Sequence, residues 1–182
     1  MPKPTIIGIA GRANSGKTTV AKALLNDHLY SRSKFSQTLK DMLRCIPGIN
    51  DDMIEGRLKE VPNMLLGGHT PREAMQRLGT DWGRDMIDDE IWVDCWKRRV
   101  LDGTYSVEDV RFPNEVEAVK ELGGVIWKIA RLDSGCSNNE HPSENYMDEI
   151  KGDVIIHNNG TIENLHGMVG GIMKGYTEDD ES

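Results

Sequence analysis

Cysteine is scarce and unpaired in pattern: Cys45, Cys95 and Cys136 are the three present, and no C-x-x-C occurs. An odd count without that spacing indicates neither a disulfide framework nor a zinc site. No apolar run approaches the roughly 18 residues that a membrane helix needs. Met1-Pro2-Lys3-Pro4 leads straight into a strand pattern, with no signal peptide expected. Positive charge is in deficit: 22 Lys and Arg stand against 30 Asp and Glu, for a net charge of −8. Nucleic-acid binders draw most of their affinity from neutralising phosphates. Neither a nucleic acid nor an anionic membrane is therefore expected as a partner. No Ser/His/Asp triad, metal-ligand cluster or N-K-x-D guanine reader is evident. The expected setting is a reducing cytoplasm.

The 182 residues suit one α/β domain, 1–182, with a small lid or insertion. Residues 5–10 form a short apolar run whose Ile6-Ile7 pair favours a buried strand. From Lys17 the pattern turns helical, with Val20, Ala21, Leu24 and Leu25 on one face. A short strand is expected within 30–35 and a helix over 37–44, ending before Pro47-Gly48. Residues 50–68 look irregular and charged, a mobile insertion. Thr70-Pro71-Arg72-Glu73 is a capping box with proline at the first helical position. Its helix is expected to stop at Gly79, with a second helix over 88–101. Strands are expected at 105–109, 125–130 and 153–157. Pro113 opens a helix, and Ile162, Leu165, Met168, Val169, Ile172 and Met173 fit one face of another. Residues 132–145 read as a polar surface loop, and the acidic tail 178–182 as a frayed end. The alternation of strands and helices predicts a parallel sheet wrapped on both faces.

Gly11-Arg12-Ala13-Asn14-Ser15-Gly16-Lys17-Thr18 matches G-x-x-x-x-G-K-[ST]. Glycines let backbone N–H groups point at a compact triphosphate without Cβ clashes. The following helix adds the positive end of its dipole. Lys17 can reach the β- and γ-phosphates of ATP as a mobile point charge, and the Thr18 hydroxyl can ligate Mg²⁺. Gly11, Ala13, Asn14, Ser15, Gly16, Lys17, Thr18 and Thr19 form the expected ATP-binding set. Arg12 reads as solvated. The motif lies between a short apolar strand and an amphipathic helix, the context its mechanism demands.

Further blocks carry a family resemblance. Leu78-Gly79-Thr80-Asp81-Trp82-Gly83-Arg84 with Trp92 downstream, Asp109-Val110-Arg111-Phe112-Pro113-Asn114-Glu115, and His141-Pro142-Ser143-Glu144 resemble the deoxynucleoside monophosphate kinases of bacteriophages. Phe35-Ser36-Gln37-Thr38-Leu39-Lys40 and the stretch from Asp153 to Leu165 resemble them as well. The resemblance implies a P-loop NTPase fold, adenylate-kinase-like, with ATP and Mg²⁺ as cofactors and a small nucleotide as acceptor. It implies an acceptor-binding region at about 36–100 and a lid-like loop at about 132–145, in the host cytoplasm if the protein is phage-encoded.

The resemblance also suggests roles. Lys40 would face the acceptor phosphate, the alternative being a surface lysine. Arg72 and Gln76, four apart on one helical face, would hold the acceptor phosphate and a base edge. Arg77 reads as structural. Trp82 would stack on a base, and Trp92 would be core or pocket wall. Asp109, at a strand end, would reach Mg²⁺ through water or orient the sugar, and Arg111 would neutralise the transferred group. These two could instead pair with each other. Arg131, ending another strand, is a second candidate for that charge; Gly79, Thr80 and Glu115 complete the acceptor set. The catalytic set is thus Lys17, Arg111, Arg131 and Asp109. The lid-like loop holds no arginine, unlike that of adenylate kinases. A dephospho-coenzyme A kinase or an adenylate kinase would share the phosphate loop but not the block at 78–84. A nucleotide switch or a motor ATPase is a third, less favoured class. Oligomeric state is left open, a homodimer among the options.

Overall fold

The computed structural model describes residues 2–100, 102–131, 146–147 and 149–177. The lid-like loop 132–145, with His141 and Glu144, and the tail 178–182 lie outside the described residues. The chain divides into two compact units, one of 1–34 with 100–182 and one of Phe35–Arg99.

The first unit holds the sheet. Strands β1 (Ile6–Ala10), β2 (Ser31–Ser33), β3 (Tyr105–Val110), β4 (Val125–Ala130) and β5 (Val154–His157) pair in the order β2-β3-β1-β4-β5. Every pairing is parallel. All five residues of β1 are buried, as a central strand covered on both faces requires. Helix α1 (Lys17–His28) follows β1, and the long C-terminal helix Ile162–Thr177 packs beside it. Their Val20, Ala21, Leu24, Leu165, Val169 and Met173 close over Ile7, Ile9, Trp127, Ile129 and Ile156. The helix Pro113–Glu121 packs its buried Ala118 and Val119 against β1 and β4. The parallel sheet of an α/β P-loop fold is therefore present.

The polar strand β3 carries a bulge. Gly8 and Ala10 of β1 pair with Val107 and Val110, so two steps on β1 match three on β3. Bulges bend a strand and re-aim its side chains, commonly beside active sites. Here the added residue falls at Glu108 and Asp109, which alternation alone does not reveal.

The second unit contains α2 (Gln37–Arg44), α3 (Asp51–Ile54), α4 (Pro71–Arg77) and α5 (Ile91–Lys97). The helices α6 (Pro113–Glu121) and α7 (Ile162–Thr177) belong to the first. The core of the second unit is Leu39, Leu43, Ile54, Met75 and Trp92. Residues 50–68, expected to be irregular, contain α3 and two 3-10 turns, Arg57–Glu60 and Met64–Leu66. The Asn50 and Asn63 side chains cap α3 and the second turn. The capping box of α4 is present in both directions, Thr70 Oγ1 accepting from the Glu73 N–H and Glu73 from that of Thr70. This helix does not stop at Gly79. It widens into a π-helix, Leu78–Ile87. The following helix is also shorter than expected, seven residues from Ile91.

Candidate active site

In α/β sheets, ligands gather at the carboxyl ends of strands where the strand order reverses. Here that place is the end of β1, flanked by β3 and β4, and the loop 11–18 lies there. Gly16 has φ +106° and a Cβ on it would lie 2.6 Å from the Asn158 amide nitrogen, so no larger residue fits. Asn14 takes the left-handed conformation at φ +61°, which asparagine tolerates. The Ser15 N–H donates to the Arg12 carbonyl, tightening the loop. Lys17 folds back over it, its Nζ donating to the carbonyls of Gly11 at 2.6 Å and Arg12 at 2.8 Å. The ammonium is thus held over the cradle.

A cleft of about 630 Å³ opens beside the loop. Asn14 to Thr19 line one side, and Arg131, Asn158, Gly160 to Ile162 and Leu165 line the rest. The Arg131 guanidinium lies 3.5 Å from the Asn14 carbonyl. Six of the expected ATP-binding residues, Asn14 to Thr19, and one expected catalytic arginine, Arg131, therefore share a single concavity. The start of α7 forms the opposite wall. Among the described residues, no group of three or more His, Cys, Asp or Glu side chains could hold a metal by itself. Thr18, the second residue of α1, is exposed.

Asn158 is a residue the sequence reading missed. It is 7% exposed, and its amide nitrogen donates to the Ser15 carbonyl at 2.8 Å. The end of β5 is thereby pinned to the middle of the phosphate loop. The available signal was its place immediately after a strand, within Asn158-Asn159-Gly160.

The β3–α6 turn places the next group. Glu115 is buried, and its Oε2 accepts the backbone N–H groups of Arg111 at 2.7 Å and Phe112 at 3.1 Å. This geometry makes Glu115 the cap of α6 that fixes the turn carrying Asp109 and Arg111. Both of those side chains are half-buried. Glu108, a polar residue within β3, is 4% exposed. Its Oε1 meets Arg32 at 2.5 Å and Lys34 at 3.3 Å, while Oε2 has no hydrogen-bond partner among the described residues.

The second unit holds the remaining candidates. Lys40 is buried rather than a surface lysine, and its Nζ meets Glu55 Oε1 at 2.8 Å. Arg72 pairs with Glu60. Both cations are thus matched by carboxylates from the 50–68 stretch. Gln76 is half-buried one turn beyond Arg72 on α4, and Arg77 is exposed. Thr80 is half-buried. The Gly79 carbonyl accepts the Trp92 indole N–H at 2.7 Å. Trp82 is 36% exposed and Trp92 only 3%, their ring centroids 6.2 Å apart.

Similarity to known proteins follows the same outline. The profile of the family "Deoxynucleotide monophosphate kinase" matches residues 57–169. A putative deoxynucleotide monophosphate kinase of Acanthamoeba polyphaga mimivirus is 32% identical over 181 residues, covering 90% of this chain and 93% of that protein. The deoxynucleotide monophosphate kinase of Escherichia phage RB69 is 27% identical over 123 residues, 64% of this chain but 50% of its own length. Among solved structures, TT1252 from Thermus thermophilus is 20% identical, with 94% of this chain and 97% of that one covered at a TM-score of 0.50. That last likeness bears on fold alone.

Proposed function

The chain belongs to the deoxynucleotide monophosphate kinase family, and from that premise we propose that it transfers the γ-phosphoryl group of ATP to a deoxynucleoside monophosphate. An oxygen of the acceptor's 5′-phosphate forms the new bond to Pγ. The bond from Pγ to the bridging oxygen of the β-phosphate breaks, giving ADP and the deoxynucleoside diphosphate. The observation that carries this reading is the cleft in which Lys17, Thr18 and Arg131 converge on the phosphate loop. The family match at 57–169 lies beyond that loop, so it adds support that other P-loop kinases would not share.

Such a reaction asks the protein for position and charge rather than covalent chemistry. The backbone of loop 11–18 and the α1 N-terminus hold the ATP phosphates. Lys17 leaves the Gly11 and Arg12 carbonyls for the β- and γ-phosphates, and Arg131 meets charge on the transferred group. Magnesium carried by the nucleotide would be held by Thr18, with Asp109 reaching it through water, and supplies charge neutralisation when bound. Arg111, fixed by the Glu115 cap, adds a second guanidinium for the transferred group. In the second unit, Lys40 and Arg72 are assigned to the acceptor phosphate, Gln76 and Thr80 to its polar edges and Trp82 to the base. Glu115 acts through the turn it caps and Gly79 through its bond to Trp92. Transfer of label from γ-labelled ATP to an added dNMP tests the reading. Label appearing only as inorganic phosphate, with no need for acceptor, would contradict it.

A further inference from the structure

A phosphate loop works by aiming its N–H groups, and here one residue outside the loop holds a peptide on which that aim depends. The Ser15 N–H is engaged within the loop, donating to the Arg12 carbonyl at 3.2 Å. The next donors along the chain are the Gly16 N–H and those of the first turn of α1. The Gly16 N–H shares a planar, trans peptide with the Ser15 carbonyl, so the two point in opposite directions. Whatever binds that carbonyl therefore sets the direction of the N–H.

Asn158 is the partner. Its Nδ2 donates to the Ser15 carbonyl at 2.8 Å. A carbonyl can only accept, so the amide nitrogen and not the oxygen must face it. Asn158 is 7% exposed, and a Cβ on Gly16 would meet that same nitrogen at 2.6 Å and Leu165 Cδ2 at 3.2 Å. The Ser15–Gly16 peptide is thus packed as well as bonded against the end of β5. Asn158 is fixed in turn by its backbone, its N–H donating to the Ala130 carbonyl at 2.8 Å. Ala130 is the last residue of β4, and Arg131 follows it with its guanidinium 3.5 Å from the Asn14 carbonyl. One residue therefore joins the loop, through its side chain, to the strand end that carries Arg131, through its main chain. All three line the same cleft.

We propose that Asn158 is a positioning residue for the donor: by holding the Ser15–Gly16 peptide against the end of β5, it directs the Gly16 N–H toward the ATP phosphates and sets their distance from Arg131. This rests on the reading of loop 11–18 as the site of those phosphates. The role requires a neutral donor. A carboxylate at 158 would face the Ser15 carbonyl with a second acceptor and add negative charge beside the bound phosphates.

The test uses Asn158→Ala and the isosteric Asn158→Asp, with Lys17→Ala as the control on the loop itself. KM and kcat are measured with ATP and dNMP varied in turn, and folding is followed by circular dichroism. Asn158→Ala should lower kcat/KM for ATP about ten- to a hundredfold, the scale of a displacement of about 1 Å at a reacting centre, with dNMP KM held within about twofold. Asn158→Asp should be the more damaging at about pH 8. Relative to wild type it should recover toward about pH 6, because burial beside a carbonyl raises a carboxyl pKa and the protonated form regains an O–H donor. A purely structural role would not follow the protonation of residue 158. Kinetics within about twofold of wild type in folded Asn158→Ala, or an Asn158→Asp deficit equal at both pH values, overturns the proposal. If Lys17→Ala turns over ATP like the wild type, the phosphate-loop reading falls and the proposal with it. Should neither variant at 158 fold, nuclear magnetic resonance on the wild-type protein decides. The Asn158 side-chain amide and Gly16 N–H signals should shift together on titration with ATP and stay in place with dNMP; either signal unmoved by ATP overturns the proposal.

Discussion

At the scale of single residues, the donor and acceptor groups make different predictions because their surroundings differ. Lys17 lies half-buried in the phosphate loop, where its Nζ donates to the Gly11 and Arg12 carbonyls. Lys17→Ala should keep the fold by circular dichroism and lower kcat by about a hundredfold or more, the scale of losing one electrostatic donor at a reacting centre. Wild-type turnover would remove the phosphate loop from the mechanism. Arg72 is already paired with Glu60 on an exposed surface. Arg72→Ala should raise acceptor KM by about ten- to a hundredfold, equivalent to roughly 1.5–3 kcal/mol for a charged hydrogen bond, with ATP affinity nearly unchanged. Glu60→Gln should act in the opposite sense, because an acceptor phosphate no longer has to displace a carboxylate. Its gain is at most about fivefold, since exposed pairs contribute roughly 0–1 kcal/mol. Steady-state kinetics with each substrate varied reads both variants. A weaker acceptor in Glu60→Gln would mean that Glu60 aims Arg72 rather than competing for it.

At the scale of elements, α1 ends under strain. Leu29 caps it with φ +63° and is 83% exposed, so a leucine occupies a left-handed position and buries little in return. Leu29→Gly should stabilise the protein by about 0.5–1 kcal/mol, the steric relief being partly offset by glycine's larger unfolded entropy. Urea midpoints check it, and a loss of stability would contradict it. The joint between α6, β4 and β5 carries a pH dependence. Asp153 is pushed upward by burial, but the Ile126 N–H at 2.6 Å and the Lys120 ammonium outweigh this and leave its pKa below the usual value. A folded pKa below the unfolded one gives stability that is fully present above about pH 4 and lost as pH falls through the folded value. Asp153→Asn should therefore flatten the decline in stability between about pH 5 and pH 3. An unchanged acid limb would assign that decline to other carboxylates.

Elements also show where sequence was informative. β4 was legible residue for residue, because Val125 to Ala130 are apolar except for Lys128 and are bounded by glycine and arginine. The α4 start was equally plain, since capping-box chemistry is local. Its end was not. Gly79 reads as a stop, yet it is held in a helix by Trp92, thirteen residues away, and a tertiary bond leaves no mark on local periodicity. The bulge in β3 was hidden for a related reason. Two buried polar residues, Ser106 and Glu108, blur the alternation that sets register. Asn158 was overlooked because a lone asparagine after a strand looks like turn chemistry until the Ser15 carbonyl is seen beside it.

At the scale of the whole molecule, the residues assigned to the donor and to the acceptor fall in two units. The parallel sheet unit carries the phosphate loop, Arg131, Asp109 and Arg111, and the unit Phe35–Arg99 carries Lys40, Arg72, Gln76 and Trp82. The loop was legible because its spacing is itself the mechanism. The partners of Lys40 and Arg72 were not legible, since Glu55 and Glu60 come from a stretch without periodicity. The net charge of −8 accords with a small-molecule substrate rather than a polyanion; among the described residues, no helix is long and apolar enough to cross a membrane. The central claim is most directly tested by coupled ADP release from Mg·ATP with no acceptor, with each dNMP and NMP in turn, and with polynucleotide. The account predicts ADP release that requires at least one dNMP, yields the matching diphosphate and does not respond to polynucleotide. No ADP release with any dNMP or NMP, from protein shown to bind ATP, would contradict it.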